Sequence, residues 1–451
     1  MKTVKKAAFR NLGCKVNEYE SVFMQQKMTE FGYEIVPFDS KADVYVINTC
    51  TVTNIADRKS RQMIHQARKR NPEAVIVAVG CYVQTDPEGA SKDGGADLLI
   101  GNNHKKDLPQ ILERYFREGE NKEIILSDLS GGCEYEDMQV ESTAEHTRAY
   151  LKIEDGCNQF CSYCAIPLAR GRVRSRRAEE IRTEAASLAR NGYREVVLTG
   201  IHLSSYGIDL HAGEEGAPES YNEAAKTGGF TNRDLLSVIG ILSETDGIER
   251  ICLSSLEPRL ITEEFLRGLK EYPKICPHFH LSLQSGSDAT LRRMNRHYST
   301  AEFRNGMELL RKFYEDPGIT TDVIAGFPGE TEKEFEESFS FIRDAGFSRL
   351  HVFPYSRRKG TVADRLPDQV GSAEKEERVK RLILLGENLE EAFAKRFEGR
   401  EVSVLFEENK DGLFSGFTRE YVRASGSFRE DMTGRIVTLR PKEIKDGTLY
   451  F

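Results

Sequence analysis

The stretch Cys157-Asn-Gln-Phe-Cys161-Ser-Tyr-Cys164 decides how this chain is read, because three cysteines fall there at the spacing C-x3-C-x2-C. A [4Fe–4S] cube takes four thiolates, so three from one short loop leave an iron open to an exogenous ligand. Zinc is the alternative, but structural zinc wants four ligands, and the nearest downstream histidine, His202, lies far along the chain. The cysteines follow Tyr150-Leu-Lys-Ile-Glu-Asp-Gly156, a strand-like run with alternate apolar positions that ends in a glycine able to turn the chain. The loop is therefore expected just past the C-terminal end of a strand.

Upstream, residues 1–125 alternate strand and helix patterns, with strands expected at 5–10, 43–48, 74–79 and 97–100 and helices at 17–31 and 103–116. That alternation predicts a small parallel α/β domain. A second cysteine triplet, Cys14, Cys50 and Cys81, places one thiol just after each of the first three strands. Open α/β sheets bind ligands at that edge, so these thiols can converge on a second three-thiolate cluster; three buried thiols would give the same spacing. Cys133, Cys252 and Cys276 have no partner at ligand spacing and read as ordinary thiols.

Downstream, residues 126–148 are polar and turn-rich and read as a linker. Region 149–370 repeats strand then helix six times, with strands expected at 150–154, 195–201, 250–255, 278–284, 320–325 and 349–355. This fits a partial (β/α)6 barrel whose strand C-termini build the active site. Within it, the acidic, glycine-rich stretch 211–229 reads as a mobile surface insertion. A connecting helix over 371–398 leads to short β runs over 399–451, which fit a five-stranded antiparallel barrel. Such barrels bind RNA through aromatic and basic residues, and Phe417, Arg419, Tyr421 and Arg423 would share one face of an unbroken strand.

At 451 residues the chain exceeds one ordinary core, and about three domains are expected. A hydrophobic content of 39% with 30% charged residues describes a soluble globular protein, and the absence of eighteen consecutive apolar residues argues against a membrane span. The basic N-terminus lacks the apolar core and cleavage site of a signal peptide, so a cytoplasmic location is expected. An odd count of nine cysteines then points to metal or redox use rather than a disulfide framework. The net charge of −8 does not advertise a nucleic-acid partner, yet phosphate binding depends on local patches. Five arginines lie between Arg170 and Arg177, and six more cations between Arg58 and Arg70; a solvated face is the alternative for both runs.

With Tyr163 immediately before its last cysteine, the loop resembles the radical S-adenosylmethionine (SAM) enzymes, and the full three-region order with both triplets resembles the tRNA methylthiotransferases over essentially the whole chain. That resemblance implies a radical-SAM [4Fe–4S] cluster on Cys157, Cys161 and Cys164, and an auxiliary [4Fe–4S] cluster on Cys14, Cys50 and Cys81. It implies that SAM binds the open iron and is cleaved to a 5′-deoxyadenosyl radical, and that the C-terminal domain is a TRAM domain. Ser254-Ser-Leu-Glu-Pro258, Leu283-Gln-Ser-Gly-Ser-Asp288, Arg293-Met-Asn-Arg296 and Asp322-Val-Ile-Ala-Gly-Phe-Pro-Gly-Glu330 match segments that line the family's SAM site. Glu257 is then a candidate for the ribose hydroxyls, or an acid opening a helical turn before Pro258. Gln284 and Ser285 suit a ligand with both charges, and Gly326 and Gly329 allow close approach of adenine or simply make a turn. His202 is a candidate for a substrate role. Arg170, Arg172, Arg174, Arg419 and Arg423 are the candidates for RNA contact.

Partners implied are tRNA and a reductive electron donor such as flavodoxin or ferredoxin, with the sulfur donor unknown and no membrane. Lys15-Val16 after the first cysteine resembles the branch acting on N6-threonylcarbamoyladenosine; the isopentenyladenosine branch tends to Gln-Met there, and the branch modifying a ribosomal protein to Pro-Lys. The expected reaction is methylthiolation of adenine carbon 2 in threonylcarbamoyladenosine beside the tRNA anticodon. Alternatives are the same reaction on isopentenyladenosine, or a redox-sensing iron–sulfur protein that binds RNA without catalysis.

Overall fold

Two runs, Val44-Tyr-Val-Ile-Asn-Thr49 and Val75-Ile-Val-Ala-Val-Gly80, are buried at every residue, as strands are when helices cover both faces of a parallel sheet. They are the third and fourth of the six strands of one sheet in a computed structural model that describes all residues except 1–3, 120–121, 132, 142–146, 216–217, 219 and 228–229. The strands are β1 (Lys6–Asn11), β2 (Glu34–Val36), β3 (Val44–Thr49), β4 (Val75–Gly80), β5 (Leu98–Ile100) and β6 (Glu123–Ile125). They pair in the order β2-β1-β3-β4-β5-β6, each pair parallel. Helices α1 (Lys15–Glu30), α2 (Asn54–Arg70), α3 (Cys81–Thr85), α4 (Pro87–Lys92) and α5 (Leu108–Glu118) connect them. Alternate strand residues feed two cores: Tyr45, Ile47, Ile76 and Ala78 pack with Ile64 and Ala67 of α2, and Val44, Val46, Val75 and Val77 pack with Met24 of α1 and Leu112 of α5.

The chain forms two compact units, and the first is discontinuous: residues 1–141, 154–176 and 356–364. The segment expected to be a linker is pinned to this unit through 126–141. Leu129, Met138 and Val140 are buried, and Tyr19 Oη donates to the Met138 carbonyl at 2.5 Å. The cysteine loop also belongs here, between β8 (Glu154–Asp155) and α6 (Ile166–Arg170), with β9 (Arg174–Ser175) pairing antiparallel to β8.

The second unit comprises residues 142–153, 177–355 and 365–451. Its parallel strands are β7 (Arg148–Lys152), β10 (Glu195–Thr199), β11 (Arg250–Leu253), β12 (His278–His280), β13 (Gly318–Ala325) and β14 (Arg349–Pro354). They form two three-stranded sheets, β11-β10-β7 and β12-β13-β14, and single bridges Ile251 to Ile275 and Leu256 to Leu281 join β11's edge to β12's. The result is the six-stranded parallel arc expected of a partial barrel. Helices α7 (Ala178–Arg190), α8 (Tyr221–Ala224), α9 (Arg233–Glu244), α10 (Glu263–Lys270), α11 (Asp288–Arg293), α12 (Thr300–Phe313) and α13 (Glu332–Ala345) alternate with these strands. Helix α14 (Ser372–Ala394) then leads to the C-terminal sheet.

Two expectations for this unit are corrected. The C-terminal sheet has six strands rather than five: β15 (Val402–Lys410), β16 (Leu413–Thr418), β17 (Arg423–Ser427), β18 (Ile436–Leu439), β19 (Glu443–Lys445) and β20 (Thr448–Tyr450), antiparallel except for the β17–β20 pair. The stretch 211–229, several of whose residues lie outside those described, is not wholly a mobile surface insertion: α8 buries Tyr221 to 1% exposure.

Candidate metal centres

β1, β3 and β4 are neighbours in their sheet, so their C-terminal ends lie side by side. Cys14 caps the start of α1, Cys50 follows β3 directly, and Cys81 opens α3. The sheet therefore brings the three thiols together. Burial pushes the Cys50 thiol up to about 12, and Cys81 and Cys14 push it the same way, because a neighbouring thiolate disfavours ionisation. Asn17 fixes the arrangement. Its Nδ2 donates to Asn48 Oδ1 at 3.2 Å and to the Thr49 carbonyl at 3.0 Å, and its Oδ1 accepts from Cys14 Sγ at 3.5 Å. On the other flank Asn102 Nδ2 reaches Cys81 Sγ at 3.5 Å and the Ala169 carbonyl at 2.7 Å.

The loop that carries the other three cysteines turns at Gly156, whose φ is +82°. A Cβ there would lie 1.9 Å from the Arg172 carbonyl oxygen, so only glycine lets the loop fold back on the chain leaving it. Cys157 N then donates to the Gly171 carbonyl at 3.0 Å, and Cys164 N to the Cys161 carbonyl at 3.0 Å. Burial raises the Cys157 thiol well above its ordinary value, and Cys161 and Cys164 add to the rise. Phe160 sits at φ +49°, strained for a bulky residue. It stands 45% exposed with the Arg172 guanidinium 4.4 Å from its ring centre.

Both triads suit a cluster better than a single ion. A zinc–thiolate bond of about 2.3 Å keeps all sulfurs of a mononuclear site within about 4.6 Å of one another, and among the described residues neither triad is that close-set. A four-iron cube instead takes each thiolate at a separate iron, so three thiols spaced too widely to share one small ion suit it. The trio that does fall within 4.8 Å is Glu195, Cys252 and Cys276. There Arg148 Nε and Arg250 Nη1 flank the carboxylate at 3.5 and 3.3 Å, so its charge is already balanced by two guanidinium groups.

Segment 356–364 contributes residues the sequence did not suggest. Arg358, buried, donates to Thr51 Oγ1 and Asp57 Oδ2 at 2.6 Å each and to Asn54 Oδ1 at 2.7 Å. Ala363 N donates to the Ser162 carbonyl at 2.7 Å. One short segment thus touches the residues beside Cys50 and the loop between Cys161 and Cys164. Nothing in its sequence announces this; it follows from a chain return some three hundred residues away.

In the second unit the Glu257 carboxylate accepts from Tyr221 Oη at 2.6 Å, from Arg259 Nε at 2.8 Å and from Arg259 N at 2.9 Å. The last contact caps the helical turn Pro258–Leu260. Tyr221 was missed because it lies in the stretch read as surface. Gln284 has φ +67° and bridges to Val323 of β13, and Ser285 is fully buried beside it. Gly326 turns the chain with φ +72° and donates to Glu330 Oε2 at 2.7 Å, and the space a Cβ would take is filled by Lys375 Cγ at 2.3 Å. His202 lies near Tyr221, ring centres 5.1 Å apart, with Nδ1 2.7 Å from Ser205 Oγ.

Of the five arginines expected at an RNA surface, two of the three that follow the cysteine loop are committed inside. Arg170 is 0% and Arg174 5% exposed; Arg170 binds Glu20 and Asp155, and Arg174 Nη1 and Nη2 donate to Asn103 Oδ1 and the Arg170 carbonyl. Of those three, Arg172 is exposed. Arg419 donates to the Pro273 and Ile275 carbonyls at 2.7 and 2.8 Å, while Arg423 is exposed. Residues 419–422 form a turn with Tyr421 at φ +67°, so Phe417, Arg419, Tyr421 and Arg423 do not share a strand face. A surface cleft of about 760 Å³ between α5 and β6 contains none of the cysteines.

A C-x3-C-x2-C loop in one unit and a six-stranded parallel arc in the other together define a radical-SAM protein. Residues 151–342 match the radical SAM superfamily and residues 6–101 the uncharacterized protein family UPF0004. The chain is 41% identical to threonylcarbamoyladenosine tRNA methylthiotransferase MtaB of Bacillus subtilis (strain 168), covering 98% of this chain and 94% of that protein. It is 35% identical to the Thermotoga maritima protein of the same name, over 99% and 96%. It is 32% identical to tRNA-2-methylthio-N(6)-dimethylallyladenosine synthase of Clostridium novyi (strain NT), over 95% and 92%. The chain belongs to the radical-SAM tRNA methylthiotransferase family. Among solved structures, the fold resembles the radical SAM methyltransferase TsrM of Kitasatospora setae, with a TM-score of 0.53 at 13% identity over 78% of this chain and 75% of that one. The protein is an enzyme of this family, and its cofactors are [4Fe–4S] and SAM.

Proposed function

We propose that this chain methylthiolates carbon 2 of N6-threonylcarbamoyladenosine 3′ of the tRNA anticodon. The observation that carries the reading is the gathering of two cysteine triads in one compact unit, one at the edge of an α/β sheet and one in a C-x3-C-x2-C loop. In this reading Cys157, Cys161 and Cys164 hold the cluster that binds SAM, and Cys14, Cys50 and Cys81 hold the auxiliary cluster. When bound, the two clusters and SAM supply the radical and the sulfur chemistry. The polypeptide's part is geometric. Asn17, Asn102 and the turn at Gly156 hold the thiols in place, and Glu257, Gln284 and Ser285 provide polar groups at strand ends for SAM. The exposed Phe160, with Arg172 against it, offers a stacking face and a cation for a base drawn out of its stack in the anticodon loop.

The choice of base rests on Lys15-Val16 after the first cysteine and on relatives named for threonylcarbamoyladenosine at 34–41% identity, against 31–34% for those named for dimethylallyladenosine. A flavodoxin- or ferredoxin-like protein is the proposed reductant, and the cytoplasm the proposed location; among the described residues no helix is long and apolar enough to cross a membrane. The test is nucleoside mass spectrometry of tRNA from a deletion strain. The expected result is loss of 2-methylthio-N6-threonylcarbamoyladenosine with its unmodified precursor accumulating. Loss of the isopentenyl derivative instead would move the assignment to that branch, and an unchanged nucleoside profile would favour the non-catalytic RNA-binding alternative.

A further inference from the structure

Arg170 is the last residue of α6, the helix that begins two residues after Cys164. Its side chain is fully buried and points toward the auxiliary triad. Nη2 donates to Asn17 Oδ1 at 2.8 Å, the same oxygen that accepts from Cys14 Sγ. Nη1 donates to Glu20 Oε1 at 2.8 Å and to both Asp155 oxygens at 3.0 Å. Its neighbour Ala169 holds Asn102, which reaches Cys81. Two successive residues of a five-residue helix therefore meet the side chains that touch two of the three auxiliary cysteines. The opposite flank of the helix's end is held by Cys157, whose amide donates to the Gly171 carbonyl.

The charges around this contact are unequal. Arg170, Arg174 and Lys105 face Glu20 and Asp155, so three buried cations share these two buried carboxylates. Burial would pull the Arg170 guanidinium toward neutrality, but Asp155, Cys81 and Glu20 more than offset it and it stays charged. It acts electrostatically on Cys14 and Cys50 as well. A fixed cation beside a thiolate-bound cluster in a water-poor site stabilises the more negative, reduced state.

We propose that Arg170 is a positioning residue that joins the two cluster sites: through Asn17 it fixes the auxiliary triad on the helix leaving the radical-SAM loop, and its charge raises the auxiliary cluster's reduction potential. This rests on the reading of Cys14, Cys50 and Cys81 as the auxiliary ligands. The basic run after the loop is then internal wiring at Arg170 and Arg174, not an RNA patch.

The experiment is a redox titration, followed by electron paramagnetic resonance, of the anaerobically reconstituted full-length protein in which Cys157, Cys161 and Cys164 are replaced by Ala. Iron content is measured alongside. Arg170→Gln is expected to make the auxiliary potential more negative, Glu20→Gln to make it less negative, and Arg170→Lys to stay close to the parent. A role limited to structure would lower thermal stability in both Gln variants without moving the potential in opposite directions. Should Arg170→Gln fail to fold, Glu20→Gln and Arg170→Lys still decide the sign. Unchanged potentials, or shifts of one sign in both Gln variants with iron retained, overturn the proposal. If the parent with only Cys14, Cys50 and Cys81 holds no cluster, the ligand reading itself fails, an outcome separate from any effect of Arg170.

Discussion

Asn17 shows how much of the auxiliary site depends on single side chains: one amide contacts Cys14, the strand before Cys50, and Arg170. In the proposed reading Cys14, Cys50 and Cys81 serve sulfur delivery and not SAM cleavage, and that division is testable. Cys14→Ala, Cys50→Ala and Cys81→Ala variants are expected to cleave SAM to 5′-deoxyadenosine in the presence of reductant yet form no methylthio product, as chromatography of the reaction mixture would reveal. Undiminished product from any one of them would remove that cysteine from the ligand set. His202 gives a prediction in pH. Burial, with Arg296 and Arg259 nearby, holds its imidazole down at about 3. The unfolded chain takes up that proton below about pH 6.5, so between those values the unfolded state binds more protons and stability falls as the pH is lowered. His202→Gln should remove this contribution, at most about 2 kcal/mol by pH 5 for a ring that retains some solvent contact. Parallel melting curves of wild type and variant from pH 7 to pH 5 measure it, and identical pH slopes would refute it.

At the scale of elements, the β16–β17 hairpin separates what was legible from what was not. Alternating apolar residues and glycine-bearing turns announce short strands, and strands formed there. A turn between the runs 413–419 and 421–423 was legible, but not that it breaks the shared face, because a tyrosine in a left-handed conformation leaves no mark in a residue pattern; Tyr421 is held there by stacks on Phe417 and His278 at 4.4 and 4.5 Å. Arg419 consequently caps carbonyls rather than facing solvent. Arg419→Ala is expected to lower stability by roughly 2–3 kcal/mol through loss of charge-assisted hydrogen bonds, and to leave the salt dependence of tRNA binding nearly unchanged. Arg423→Ala should do the reverse, reducing that dependence by about one phosphate contact. Calorimetry and binding titrations at several salt concentrations separate the two, and equal effects of both variants would contradict the assignment. The arginine run after Cys164 was misread for a related reason. Charge alone does not say which way a side chain points, whereas cysteine spacing after successive strands does constrain where thiols meet. The placement of the six cysteines was therefore legible, and the partners of Arg170, Arg358 and Tyr221 were not, since each finds them only after distant segments have folded together.

For the whole molecule, the expectation is metal content. Anaerobically reconstituted protein should carry about eight irons, two four-iron clusters. Replacing Cys157, Cys161 and Cys164 together by Ala should halve that number, and zinc in their place, by elemental analysis, would defeat the cluster reading. The first unit has a further consequence for biogenesis. It is assembled from residues 1–141, 154–176 and 356–364, so a ribosome that has released only the N-terminal sheet exposes Cys14, Cys50 and Cys81 while Arg170 and later Arg358 are still to be made. During that interval the three thiols lack their buried cations and hydrogen-bond donors, and they are open to oxidation or to a wrong metal. Cells making this protein therefore face a timing problem that a contiguous domain would not pose: cluster delivery is best matched to the emergence of residue 364, near the end of translation, rather than to the appearance of the first ligands.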